Sequence, residues 1–245
     1  MGQEDKKITD IFGLAPYGEA INTLTKGAVD GAGAFLSRIC LPAAEEFGLL
    51  LKDKISVWRA KNAVEVSLQA EKILSDQGAQ NVHAHPRLVM NILSEGSWNE
   101  HDMVLSMWAG LLASSCTESG DDDSNILFVN ILSQLTTLQA KIISYGCQNA
   151  RTYLKSALIL ARMLEVELDE VKKFSGTDDL HRLDRELDHL SSLGLIGGRL
   201  GGGGIHPDTG KVDITPTALA LQMYARCQGF IGSPEEYYDV GKDET

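Results

Sequence analysis

Aromatic side chains make up only 6% of this 245-residue chain. A core so poor in rings must be filled by Leu, Ile, Val and Ala, which suits packed helices. Long apolar runs are missing too. No stretch reaches the ~18 consecutive apolar residues of a membrane-spanning helix, and the charged start from Met1 to Asp10 has no apolar run to read as a signal peptide. Four cysteines, Cys40, Cys116, Cys147 and Cys227, lie far apart with no C-x-x-C pair. That spacing argues against a disulfide framework and for reduced, buried thiols in a cytoplasmic protein. Positive charge is scarce, with 22 Lys and Arg against 34 Asp and Glu, a net charge of −12. Such a field opposes nonspecific binding to nucleic acid and to anionic lipid.

Catalytic signatures are also missing. There is no G-x-S-x-G, and the glycine run at 197–204 has no G-K-[ST] ending and leads to a turn rather than a helix. His83, His85, His101 and Asp102 match no strong zinc spacing. Asp121-Asp122-Asp123 lacks the later Gly and Glu of a calcium loop. No catalytic residue, metal or cofactor is therefore assigned, and a binding or effector protein is expected rather than an enzyme.

Apolar residues at helical spacing are what the chain does have. They predict helices over about 16–38 and 42–60, parted near Pro42, and a long amphipathic helix over 54–76 that ends at Gly78. Pro86 opens another helix, and Ser97 or Asn99 caps the next, with Trp98 as a hydrophobic staple. Ala109, Gly110 and Ala113 leave room for a close neighbour, and shorter helices follow from Ile126 and Thr137. Gly27, Gly31 and Phe35 are assigned to a packing or oligomer face, because two glycines inside a helix forgo roughly 2 kcal/mol relative to alanine unless close contact offsets it.

The last third reads differently. A helix over 151–174 ends near Gly176, and another carries Leu180, Leu183, Leu187, Leu190 and Leu193 on one face. A short strand at Leu195-Ile196, a glycine-rich wing, a strand over 211–215 and a helix with Pro216 at its first position complete the chain. This order resembles the winged-helix fold. The expected class is mainly α: a helical domain over 1–147, a winged-helix-like domain with a small β-hairpin over 148–232, and an acidic, mobile tail over 233–245. Gly146 to Asn149 form the expected hinge. Arg182, Arg185, His189, Arg199 and Lys211 are the candidate contacts for a partner or for DNA. The formal sum over 178–193, two bases less five acids, is −3, and this favours a protein partner.

Two segments resemble the abortive-infection alpha family of bacterial phage-defence proteins. One runs from Gly31-Ala32-Gly33-Ala34-Phe35-Leu36 through Pro42-Ala43-Ala44-Glu45-Glu46-Phe47-Gly48 to Trp58-Arg59. The other runs from Pro86-Arg87-Leu88 through Trp98-Asn99-Glu100 to Met107-Trp108-Ala109-Gly110-Leu111-Leu112-Ala113. The resemblance spans about residues 25–145. It implies phage defence and supplies no catalytic residues. The expected protein acts without catalysis through protein contacts, with itself as a homo-oligomer or with a phage-derived partner. The alternatives are a winged-helix DNA-binding regulator and a membrane-active effector that uses residues 14–51 after a conformational change.

Overall fold

The computed structural model describes residues 26–42, 44, 57–197, 203–238 and 240. It is mainly α-helical with small antiparallel sheets of two and three strands. The chain divides into two compact units, one of residues 1–133 with 227–229 and one of residues 134–226 with 230–245.

The first unit contains helices α1 (Lys26–Ile39), α2 (Val57–Asp76), α3 (Pro86–Gly96), α4 (Asp102–Ser114) and α5 (Ile126–Leu132). A short ladder pairs β1 (His83–Ala84) with β2 (Cys116–Thr117). In α1, Val29, Ala32, Phe35, Leu36 and Ile39 recur every three or four residues, and all are buried. They form the stripe that packs on α2, and burying a side chain such as Phe35 is worth about 2–3 kcal/mol. Residues 14–25, 43 and 45–51 of the segment considered for membrane insertion lie outside the described residues. Gly78, at φ +67, turns the chain after α2, and Ala79 N–H donates to the Leu74 carbonyl, the glycine ending that the sequence predicts.

The caps of the next two helices differ from expectation. Pro86 does open α3, but its N-cap is His85, whose Nδ1 accepts the Arg87 N–H at 3.3 Å. His101, not Ser97 or Asn99, caps α4 in the same way through Met103 N–H at 3.3 Å. Ser97 instead closes α3 as its C-cap and accepts from Arg59 Nε. Trp98 is no staple, because it is 60% exposed with the Arg59 guanidinium 3.8 Å from its ring centre. Imidazole is a poor substitute for the Ser, Asp or Asn oxygens that cap helices best. His85→Asp and His101→Asp are expected each to stabilise the chain by about 0.5–1 kcal/mol, through a shorter bond and a favourable charge at the helix start. A denaturant titration of each variant checks this, and a lower midpoint for both would contradict the capping role.

The second unit begins with α6 (Thr137–Asn149). Thr136 and Gln139 form a reciprocal capping box at its start. The expected hinge at 146–149 is the last turn of this helix. Gly146 is there for contact and not for flexibility, since a Cβ on it would lie 3.0 Å from the Ile214 carbonyl oxygen. The expected helix over 151–174 is instead a hairpin, β3 (Thr152–Lys155) with β4 (Leu158–Ala161), followed by β5 (Glu165–Glu167) and α7 (Leu168–Ser175). Tyr153 faces Leu160 and Leu154 faces Ile159 across the ladder, and such pairs suit strands better than a helix. The two-residue turn holds Ser156 at φ +52 and Ala157 at φ +60. This is the backbone of a tight hairpin turn, made without the usual Asn or Gly.

Helix α8 (Leu180–Ser192), β6 (Gly204–His206), β7 (Lys211–Asp213), α9 (Ala218–Cys227) and α10 (Pro234–Tyr237) complete the unit. The strand order is β5-β7-β6, with β7 antiparallel to both neighbours. Leu183, Leu187 and Leu190 of α8 are fully buried. Leu195-Ile196 contributes only a single bridge, from Ile196 to Pro216. Pro216 lies before α9, and Thr217 caps that helix through its hydroxyl, which accepts the Ala220 N–H. The acidic tail expected from Ser233 starts as a folded segment. Tyr237 packs on Phe230 with centroids 5.5 Å apart, and the Tyr238 hydroxyl donates to the Leu221 carbonyl at 3.0 Å.

Candidate functional site

Helix α8 carries most of the residues assigned to partner contact. Asp179 caps it and accepts the Arg182 N–H at 3.1 Å. Arg182 reaches one turn forward along the helix to Glu186, 3.8 Å away. His189 is half-buried, with Nδ1 2.9 Å from Gln139 Nε2. Lys211, on β7, pairs with Glu165 at 3.9 Å. Arg185 is exposed, as are Asp178, Asp179, Asp184 and Asp188. Arg199 lies outside the described residues. The face around α8 is therefore dominated by acids, and two of its bases already face carboxylates.

The packing face assigned to α1 is mixed. Phe35 is fully buried, and a Cβ on Gly31 would sit 3.4 Å from Leu68 of α2, an ordinary contact. Gly27 is exposed, and a Cβ there would meet nothing within 4 Å among the described residues.

Two buried carboxylates and the thiols are engaged in the fold. Glu186 is buried and accepts from the Thr136 hydroxyl at 2.8 Å, while its backbone carbonyl accepts from Gln139. Asp213 is buried and accepts the Thr215 N–H and hydroxyl at 2.9 and 2.5 Å. None of the four cysteines forms a disulfide, and all are buried. Burial pushes the Cys116 and Cys227 thiols up to about 12, so neither is a nucleophile near neutral pH. Among the described residues no three His, Cys, Asp or Glu side chains gather to hold a metal ion, and no helix is long and apolar enough to cross a membrane.

Sequence reasoning missed the β3–β4 hairpin as a surface. Arg151, Lys155 and Arg162 are all exposed there, and no acid lies between 150 and 164. Leu154, Leu158 and Met163 are 44%, 58% and 66% exposed. Met163 lines a cavity of about 480 Å³ together with Tyr153, Leu160, Arg162, Pro216 and Ala218, while Leu154 lies on the opposite face of the hairpin, level with Ile159. The Arg162 guanidinium lies 5.4 Å from the Tyr153 ring centre. Three bases without an acid in a chain of net charge −12 was the readable signal. Even a helical reading sets Arg151, Lys155 and Arg162 on one face, at i, i+4 and i+11, so the cluster was legible and was passed over for the charges of α8.

No curated protein and no protein of known structure matches the chain. A family match does exist, described as abortive infection alpha, over residues 60–201. It begins inside α2, takes in the segment from Pro86 to Ala113 that carries the second resemblance, and extends through the hairpin and α8. The earlier segment, from Gly31 to Arg59, lies before it. Because the match covers more than half of the 245 residues, the chain belongs to the abortive infection alpha family.

Proposed function

We propose that this chain serves phage defence without catalysis, through contacts with protein, and that its second unit is a winged-helix module turned away from nucleic acid. Family membership supplies the defence context. The order of α6, β5, α7, α8, β6 and β7, with the sheet β5-β7-β6, is the observation behind the winged-helix reading. The exposed face of α8 carries the argument against DNA. Its acids Asp178, Asp179, Asp184 and Asp188 outnumber Arg182 and Arg185, and Arg182 already faces Glu186. A helix laid in the major groove needs bases aimed at phosphates. The engagement of Glu186, Asp213 and the buried thiols in the fold supports action by contact.

The test is a phage-plating assay on cells expressing the full-length chain, alongside a duplex-DNA shift assay at ~0.1 M salt. Replacing Arg182, Arg185 and Lys211 together by Ala is expected to leave protection intact, with no shift tighter than micromolar for either protein. Loss of protection together with loss of a nanomolar shift would establish the DNA-binding regulator instead.

A further inference from the structure

We infer that the β3–β4 hairpin and its cavity form the docking surface for a protein segment bringing an apolar side chain flanked by carboxylates. The inference rests on the protein-contact reading and names the chemistry of the partner. Three observations converge on it. The surface is concave: a cavity of about 480 Å³ is within the range that takes one large side chain or a small ligand. Exposed apolar side chains adjoin the cavity: Met163 lines it and Leu158 lies on the same hairpin face as Tyr153 and Leu160, where a folded chain gains nothing from leaving such side chains in water. The charge is also local. Arg151 and Lys155 are exposed on the hairpin face of Tyr153 and Leu160, with no acid from 150 to 164 in a chain of net charge −12.

Complementarity selects among occupants. A second copy meeting hairpin to hairpin would set Arg151 and Lys155 against their own copies, so a symmetric contact at this surface is disfavoured. Nucleic acid would meet the hairpin bases, but then the acidic remainder of the chain over the rest of its length. A short acidic segment meets only the hairpin. Its carboxylates face Arg151 and Lys155, and its apolar side chain fills the space beside Tyr153 and Leu160.

The experiment uses the full-length chain and a short fluorescein-labelled peptide with one Phe among Asp and Glu residues. One twin carries Lys for every acid, and another carries Ala for the Phe. Fluorescence anisotropy should show the acidic Phe peptide binding at least about tenfold tighter than either twin. Because the whole chain is acidic, this preference cannot come from its mean charge. The exposed double variant Arg151→Glu with Lys155→Glu should lose the acidic peptide by about tenfold and gain the Lys twin. That swap is not a consequence of misfolding. Equal binding of the three peptides, or a double variant that binds them as the natural chain does, overturns the inference. So does binding of phosphatidylserine vesicles or duplex DNA that the double variant abolishes. Since Arg182, Arg185 and Lys211 are untouched, failure here leaves the protein-contact reading standing, and failure of that reading appears only in the plating assay.

Discussion

Gly110→Ala lowers the melting temperature of the full-length chain steeply, although helix propensity alone says the opposite. Gly110 lies in the middle of α4, where alanine is favoured by about 1 kcal/mol. A Cβ at this position would run into the carbonyl group of Cys227 and stand 2.9 Å from the Gly229 nitrogen. Those atoms are backbone and cannot step aside by a rotamer change. Overpacking against flexible side chains costs about 1–3 kcal/mol, and here the cost is expected above 3 kcal/mol, a large part of the 5–15 kcal/mol that holds a domain folded. The melting temperature should fall by about 10 °C or more. Gly27→Ala, at an exposed position in α1 with nothing within 4 Å among the described residues, should instead raise stability by about 1 kcal/mol. Thermal melts followed by circular dichroism measure both. A Gly110→Ala protein that melts at or above the natural chain would show that the close approach to residues 227–229 is absent in solution.

The second large effect is alkaline unfolding. Burial raises the thiols of Cys116 and Cys227 to about 12, helped at Cys116 by nearby Cys40 and opposed by Arg38. In the unfolded chain the same thiols ionise near their ordinary value of about 8.5–9. Below that value both states hold the proton and the two groups contribute nothing to pH dependence. Above it the unfolded state releases protons that the folded state keeps, so stability falls as pH rises until about 12. The slope is about 1.4 kcal/mol per pH unit for each thiol. Two thiols over two pH units remove about 5 kcal/mol, enough to unfold a chain of ordinary stability. Tyr237 and Tyr238, whose hydroxyls burial also raises, act in the same direction at higher pH. Melting temperatures measured from about pH 7 to 11 should be level at first and then drop steeply above about pH 9. Cys227→Ala, which removes one titrating group, should make the drop shallower. A flat profile through about pH 10.5, or ready reaction of all four thiols with a disulfide reagent in the folded chain near pH 8, would refute the burial of these groups.

Elements governed by one strong local rule were legible from the residues alone. Pro86 marks the start of α3, and Gly78 and Gly176 mark helix ends, both at positive φ. The Leu183, Leu187 and Leu190 stripe marks the buried face of α8. The mainly α-helical class, the buried thiols and the family context were legible for similar reasons: composition limits the core, and short motifs persist in the chain. Segments that satisfy two periods were not legible. Residues 151–163 carry apolar side chains compatible with a helix or with strands, and their turn uses Ser156 and Ala157 in place of Asn or Gly. Pairing with a second strand, and the burial of Ile159 that comes with it, settled the matter.

The candidate docking surface follows the same division. Its residue types were visible in the chain, but their gathering beside Pro216 and Ala218, more than fifty positions away, required the folded backbone. The same holds for Gly110, whose neighbour at 227 is distant in sequence. Helix period, charge balance and capping chemistry act within a few residues, so the sequence by itself determined the class of the protein and most of its helices. Which glycine is crowded and which distant residues line the cavity beside the hairpin depend on contacts between segments far apart in the chain, and only the tertiary structure decided those.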